Sequence, residues 1–389
     1  MPSERYLTPF IAKDLSKKMV FMAGPRQVGK TTLAKAFLKK HHSEAYFLWD
    51  NREDRQKLLK GQWPPNVDLV VLDEIHKYIK WKQWIKGEYD KKGSRFRFLV
   101  TGSARLDVYR KGGDSLQGRY HHYRLHPFSV AELEGQLPRI KPFTPLTFTN
   151  IPNPDPLKNL FQFGGFPEPL FAQSETEHRR WQKERLERFF REDVRDMEAL
   201  RDLSSIQLLA DILPSRVGKP LSLNSLREDL QVSHRAISHW MDILERLYFV
   251  FRIRPYTTRR IQGLKKEPKA YLWDWSLVED PGSRFENLVA SHLLKFCHFL
   301  EDTEGYKIEL CYLRDVNKRE VDFLVTVGHK PWFVVEAKLS EENLHPNLNY
   351  FGERIACPLR YQVVYNTDKE YIEGSSHLIP AAKFLGGLV

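Results

Sequence analysis

The spacing Gly24-Pro25-Arg26-Gln27-Val28-Gly29-Lys30-Thr31 constrains this chain more than any other stretch. It lies between an apolar run, Met19-Val20-Phe21-Met22-Ala23, and a helix-like run, Thr32-Leu33-Ala34-Lys35-Ala36-Phe37-Leu38. The order predicts strand, phosphate-cradling loop, helix. Glycines at the fixed positions let the backbone turn so that its N–H groups face a β-phosphate, and the helix N-terminus adds partial positive charge. Lys30 is placed to reach the β- and γ-phosphates and Thr31 to ligate Mg²⁺. Gly24, Pro25, Arg26, Gln27, Val28, Gly29, Lys30, Thr31 and Thr32 are therefore expected to hold a nucleoside triphosphate, ATP, with its Mg²⁺.

A second signal follows. Val67-Asp68-Leu69-Val70-Val71-Leu72-Asp73-Glu74 is an apolar run of buried parallel-strand character that ends in two carboxylates. A strand that delivers acids at its carboxyl end sets them beside the phosphate loop. Asp73 is expected to hold Mg²⁺ through water, and Glu74 to polarise the attacking water. The strand Arg95 to Val100 then leads to Thr101-Gly102-Ser103-Ala104, where Thr101 or Ser103 is the candidate γ-phosphate sensor; the same hydroxyls would also serve as helix caps. Arg119, after Gly118, is a candidate for stabilising transition-state charge in cis or from a neighbouring subunit, with a surface ion pair as the alternative.

The chain has 389 residues, enough for two or three domains, and a formal net charge of +11, an electrostatic footprint compatible with nucleic acid. Its three cysteines, Cys297, Cys311 and Cys357, are too widely spaced for a zinc cluster and indicate no disulfide framework. No run approaches the roughly 20 apolar residues of a membrane span, so a cytoplasmic protein without membrane contact is expected. The pairs His41-His42 and His121-His122 read as solvated surface, and Trp81 and Trp84 as packing under the nucleotide strand.

Taken together, the phosphate loop, Leu72-Asp73-Glu74-Ile75-His76-Lys77, Thr101-Gly102-Ser103-Ala104-Arg105, Leu116-Gln117-Gly118-Arg119, Leu125-His126-Pro127-Phe128-Ser129 and Gly164-Gly165-Phe166-Pro167-Glu168 resemble prokaryotic AAA-superfamily P-loop ATPases with an uncharacterised C-terminal region. The resemblance implies an AAA-type α/β core over residues 1–137 and ATP binding. One departure is the absence of an asparagine at the sensor position.

Residues 138–158 are rich in proline and read as a linker. Residues 159–270 read as a helical region with a winged helix: Asn224 to Leu230, the turn Gln231-Val232-Ser233, and a longer helix from His234 to Val250. Ser233 is the expected cap, leaving His234, Arg235, Ser238 and His239 near the exposed start and Ala236, Ile237, Trp240, Ile243, Leu244 and Leu247 inward. Residues 251–269 hold seven Lys and Arg (Arg252, Arg254, Arg259, Arg260, Lys265, Lys266 and Lys269) against Glu267 alone, so the wing is expected to carry the excess charge. His234, Arg235, His239, Arg259, Arg260, Lys265 and Lys266 are the expected nucleic-acid contacts.

Residues 271–389 carry a third signal: Glu286 on an amphipathic helix, Asp322 on a strand, and Glu336-Ala337-Lys338 on the strand after a Gly328 turn. Asp322 and Glu336 can approach each other on such a hairpin, with Lys338 on the face of Glu336. This order resembles the PD-(D/E)XK nuclease core. The resemblance implies Mg²⁺ or Mn²⁺ on Glu286, Asp322 and Glu336, with Lys338 orienting the attacking water. Gln362 is a further candidate for lining that site.

The expected whole is an ATP-hydrolysing protein acting on DNA, with a metal-dependent nuclease-like terminus and a homo-oligomer in view. The alternative is a nucleotide-regulated switch that binds a protein partner through an inactive nuclease fold.

Overall fold

The computed structural model describes residues 4–40, 45–92, 95–102, 116–137, 140–149, 153–195, 203–257 and 267–389. The chain divides into two compact units, Met1–His126 and Pro127–Val389.

In the first unit, helix α1 (Thr8–Leu15) precedes strand β1 (Met19–Ala23), helix α2 (Lys30–Lys40) and strand β2 (Tyr46–Leu48). Helix α3 (Arg52–Leu59), strand β3 (Leu69–Asp73), helix α4 (Trp81–Lys92) and strands β4 (Arg97–Thr101) and β5 (Tyr120–Arg124) follow. All five strands run parallel in the order β2-β3-β4-β1-β5. Every residue of β1 and β3 is buried, as near-continuous apolar strands covered on both faces require. Phe21, Phe47, Val70, Leu72, Trp81 and Phe98 form the core, and Trp84 packs against it, so the two tryptophans are structural as expected. Asn51 caps α3 by accepting the N–H groups of Glu53 and Asp54 at 2.9 and 3.1 Å.

The strand order matters for the site. The phosphate-loop strand β1 and the acidic strand β3 are not neighbours, because β4 lies between them. The residue at the tip of β4, Thr101, is therefore in register with both Met22 and Asp73.

In the second unit, α5 (Val130–Leu133), α6 (Asp155–Phe163), α7 (Pro167–Ala172) and α8 (Glu175–Arg188) lead through a π-helical turn, Phe189–Val194, to α9 (Leu203–Ile212). Next come α10 (Leu223–Leu230), α11 (His234–Arg246), β6 (Val250–Pro255) and β7 (Lys269–Leu272). The long helix α12 (Pro281–Glu304) precedes β8 (Ile308–Arg314), β9 (Glu320–Val327) and β10 (Lys330–Lys338). Helix α13 (Pro346–Arg354), β11 (Leu359–Val364), β12 (Tyr371–Glu373), β13 (Ser376–Pro380) and α14 (Ala381–Gly386) complete the chain. One sheet, β12-β13-β11-β10-β9-β8-β6-β7, unites these strands. The run β8, β9, β10 is antiparallel, and α13 crosses over to β11, which pairs parallel with β10.

Two expected divisions do not hold. Strand β6 pairs both with β7 and with β8, where Arg254 faces Cys311 and Pro255 faces Tyr312, so a boundary at residue 270 would cut the sheet inside β7. The proline-rich segment is no free linker either: Trp332 donates its indole N–H to the Thr144 carbonyl at 3.0 Å. The Phe148 ring lies 5.6 Å from Tyr361 and 5.7 Å from Phe384. Prolines remove backbone donors and favour extended chain, and extended chain packs against a sheet as readily as it spans solvent.

Candidate functional site

At the end of β1 the chain turns through Gly24, at φ 150°, Gln27, at φ 62°, and Gly29, at φ 102°, into the first residue of α2, Lys30. Glycine is required at position 24, because a Cβ there would lie 2.4 Å from the Leu125 carbonyl oxygen. Lys30 Nζ donates to the carbonyls of Gly24 and Pro25 at 2.9 and 2.7 Å, which holds the ammonium at the mouth of the loop. Arg5 braces the loop from outside: one guanidinium nitrogen donates to the Val28 carbonyl at 2.9 Å and the other to His126 O at 2.6 Å. Val28 is buried, Arg26 and Gln27 are half-buried, and Thr31 and Thr32 are exposed in the first turn of α2.

Three hydroxyls converge on Asp73. Thr31 donates to Oδ2 at 2.8 Å, Tyr46 to the same oxygen at 2.6 Å, and Thr101 to Oδ1. Glu74, one residue on, is held at φ 59° by its N–H bond to the Thr101 carbonyl at 3.0 Å. Its Oε2 is buried without a hydrogen bond, 3.5 Å from His76 Nε2 and 3.9 Å from Lys77 Nζ. Burial raises the Glu74 carboxyl above its ordinary range, with the Lys30 charge acting against that rise.

The donor set at this first site fits Mg²⁺. A hydroxyl and a carboxylate oxygen stand side by side at a helix N-terminus, both hard oxygen donors of the kind that holds Mg²⁺ with nucleotide phosphates.

Arg119 is elsewhere. It precedes β5, with its carbonyl accepting from Met19 N at 3.1 Å, at the edge of the sheet opposite the phosphate loop. Its guanidinium pairs with Asp90 at 2.7 Å. Five residues of strand, about 16 Å, separate the two edges. The expected cis role at its own nucleotide is therefore corrected. Ser103 lies outside the described residues, as do His41, His42 and Arg105. His121 and His122 are half-buried on β5.

The helix pair α10 and α11 forms where the sequence places it, with Gln231 left-handed in the turn and Ser233 Oγ accepting from Ala236 N at 3.1 Å. His234, Arg235 and His239 are exposed. Ile237, Trp240, Ile243, Leu244 and Leu247 are buried, and Ala236 is only partly so. The charge assigned to the wing needs correction, however. Arg252 is bound by Asp242 at 2.7 Å and by Glu245 at 2.5 Å, and Lys269 is wholly buried. Of the seven cations, Arg252 is thus half-buried and paired with acids and Lys269 is internal; Arg259, Arg260, Lys265 and Lys266 lie outside the described residues. Beside α10, a cleft of about 530 Å³ is lined by Arg216, Lys219, Arg314 and Lys318, with Glu267 and Asp315 among them.

Glu286, Asp322, Glu336 and Lys338 do come together. Asp322 N donates to Glu336 Oε2 at 3.2 Å, Ala337 N donates to Asp322 Oδ2 at 3.1 Å, and Lys338 Nζ lies 3.0 Å from Glu336 Oε1. Burial, reinforced by the nearby Asp322 charge, pushes the carboxyl of Glu286 up to about 7 and that of Glu336 up to about 8. Yet a divalent ion does not fit this second set. Lys269 Nζ sits between the carboxylates, 3.1 Å from Glu286, 2.6 Å from Glu320 and 3.4 Å from Asp322. Among the described residues, no group of three or more His, Cys, Asp or Glu is arranged to hold a metal ion. Gln362 is buried and spends its amide on a neighbouring loop, donating to Glu341 O and Asn343 O at 2.9 and 2.8 Å and accepting from His345 N at 2.7 Å.

Sequence reasoning missed Tyr46, Arg5 and Lys269. Tyr46 is recoverable only from topology, since β2 pairs with β3 and so reaches Asp73. Arg5 gives no local signal. Lys269 does, as a lone cation opening the apolar strand Lys269-Ala270-Tyr271-Leu272.

Three family models match successive parts of the chain. Residues 16–134 match a family described as an AAA domain. Residues 155–280 and 281–384 match two families, each described as a domain of unknown function. Two uncharacterized proteins of Methanocaldococcus jannaschii are each 25% identical to the chain. One alignment covers 96% of this chain and 88% of the relative, the other 97% and 86%. Among solved structures, the Walker-type ATPase of Pyrococcus abyssi is similar at 15% identity and a TM-score of 0.43, over 71% of this chain and 94% of that one. A likeness that low carries no functional argument. No described helix is long and apolar enough to cross a membrane.

Proposed function

We propose that the chain hydrolyses ATP at the loop between β1 and α2 and uses nucleotide state to control how its second unit engages DNA. The observation that carries the reading is the convergence of Thr31, Tyr46 and Thr101 on Asp73, with one carboxylate oxygen of Glu74, Oε2, buried without a hydrogen bond beside them. In this reading the loop N–H groups and Lys30 bind the phosphates, and Thr31 and Asp73 hold Mg²⁺, which neutralises the phosphate oxygens. Glu74 accepts a proton from the attacking water; its raised affinity for protons makes it a stronger base than a solvated glutamate. Thr101 ties the acidic strand to the phosphate-loop strand, so a change at the phosphates is felt at Asp73.

The DNA part rests on the exposed start of α11, with His234 and Arg235, and on the basic cleft beside α10. Phosphate contacts of this kind give affinity without sequence information. The arrangement of α10, α11, β6 and β7 is that of a winged helix in this reading, and α12, β8, β9, β10, α13 and β11 follow the order of the PD-(D/E)XK core. Homo-oligomerisation, with Arg119 serving a neighbouring copy, belongs to the same proposal.

The test is ATP hydrolysis and fluorescence anisotropy on labelled duplex DNA at low salt, with and without ATP. Lys30→Ala should abolish hydrolysis, and Arg235→Glu combined with Lys219→Glu should weaken DNA binding while hydrolysis persists. An intact protein that binds no DNA at low salt sinks the DNA reading. A second reading is favoured by the ion pairing of Arg252 and the burial of Lys269: a nucleotide-regulated switch that binds a protein partner. Under it, the charge reversals would leave partner binding intact.

A further inference from the structure

We infer that Lys269, on β7, is the resident cation of the carboxylate cluster on α12, β9 and β10, so that this cluster takes an ammonium where a nuclease of similar topology would take a divalent metal. The inference stands on the geometry of the second unit and is independent of the ATPase and DNA reading.

The cluster contains four carboxylates, on Glu286, Glu320, Asp322 and Glu336, and three cations, on Lys269, Arg314 and Lys338. Lys269 is at the centre and reaches three of the four acids. Its side chain is fully buried, and an ammonium with no access to water persists only where anions and acceptors surround it. Removing it would leave Glu286, Glu320 and Asp322 facing one another.

The oxygens a metal would need are already engaged. Both oxygens of Glu320 face cations, Lys269 at 2.6 Å and Arg314 at 2.5 Å. Asp322 has Lys269 at one oxygen and the Ala337 N–H at the other, at 3.4 and 3.1 Å. Glu336 has Lys338 at 3.0 Å and the Asp322 N–H at 3.2 Å. Tyr271 donates its hydroxyl to Glu286 Oε1 at 2.7 Å. The remaining oxygen, Glu286 Oε2, lies beside Gly218, where an added Cβ would come 2.7 Å from it. Mg²⁺ demands near-octahedral oxygen donors at roughly 2.0–2.1 Å and usually keeps several waters. An ammonium in contact with the same carboxylates repels that ion and occupies its coordination space.

The substitution that tests this is Lys269→Gln, which removes the charge and keeps a polar side chain of similar reach. Nucleotide-free protein is titrated with Mn²⁺, and bound metal is read from loss of the free-ion electron paramagnetic resonance signal. The intact chain and Asp322→Asn should give the same titration. Lys269→Gln, its fold checked by circular dichroism, should gain about one further Mn²⁺ per chain, and Lys269→Gln with Asp322→Asn should lose it. An intact chain that binds Mn²⁺ in a manner abolished by Asp322→Asn overturns the inference, whether or not Lys269→Gln folds. A folded Lys269→Gln that gains no Mn²⁺ overturns it as well.

Discussion

Tyr46 donates its phenolic hydroxyl to Asp73 Oδ2 at 2.6 Å, from a strand that carries no part of the phosphate loop. Burial and the hydrogen bond to Asp73 both raise the Tyr46 hydroxyl's affinity for its proton, so it acts as a fixed donor. Tyr46→Phe should lower stability by about 1.5–3 kcal/mol, the range for a hydrogen bond to a charged acceptor. Hydrolysis should persist, since Thr31 and Asp73 both remain. Urea unfolding alongside a phosphate-release assay checks both statements.

Glu74→Gln should keep ATP binding and lose about 10²- to 10⁴-fold in turnover, the scale of general-base catalysis. Because burial raises the Glu74 carboxyl, turnover should climb with pH through a midpoint above the ordinary glutamate value. A pH–rate profile that is flat from pH 4.5 to 8 would remove Glu74 from that role.

Gly24→Ala should abolish ATP binding. Its Cβ would meet the Leu125 carbonyl at 2.4 Å, in a backbone conformation that L side chains rarely adopt. Strain of this kind costs about 1–3 kcal/mol at least. Binding of a fluorescent ATP analogue, compared with Gly87→Ala on α4, where a Cβ meets nothing within 4 Å, separates loss of the loop from loss of the fold.

His292 gives the second unit a defined acid sensitivity. Its Nδ1 donates to Leu288 O at 2.8 Å and its Nε2 accepts from Val130 N at 3.1 Å, an arrangement that only the neutral ring provides. Burial lowers the imidazole to about 3. The unfolded ring keeps its ordinary value near 6.5, so below that pH the unfolded chain binds a proton that the folded chain refuses. The contribution is full above about pH 6.5 and is lost as pH falls toward about 3, with a slope of up to about 1.4 kcal/mol per pH unit. Urea midpoints from pH 7 to pH 4 should fall more steeply in the intact chain than in His292→Gln.

Lys295 and Glu132 form an ion pair at 2.6 Å with both side chains almost wholly buried. Ser129 Oγ and Pro127 O accept further bonds from the same ammonium at 2.7 and 3.2 Å. Lys295→Met should destabilise by about 3–5 kcal/mol, because it strands a buried carboxylate, and adding Glu132→Leu should recover much of that loss. Thermal melts of the single and double variants measure the difference.

The candidate nucleotide site is largely legible because its residues are consecutive: residues 24–32 and the pair Asp73-Glu74 each announce themselves by local spacing. Thr101 could be placed at a strand tip but not on Asp73, since that contact depends on β4 lying between β3 and β1. Arg119 looked catalytic because a glycine precedes it, whereas strand polarity decides which edge it occupies. In the second unit, the convergence of Asp322 and Glu336 could be read from hairpin geometry. Lys269 was passed over although it opens the apolar strand β7, because charge counting along a segment treats every cation as solvated, whereas every residue of that strand is buried.

The two matched segments of the second unit meet between residues 280 and 281, yet the sheet runs across that seam from β8 to β6. A fragment ending at Asp280 would carry Lys269 without its acids. One starting at Pro281 would hold all three of those acids without their ammonium and would leave β8 as a bare edge open to aggregation. The two segments therefore have to be inherited, swapped and expressed as a pair, and a chimera that replaces either one needs a compensating charge in the other.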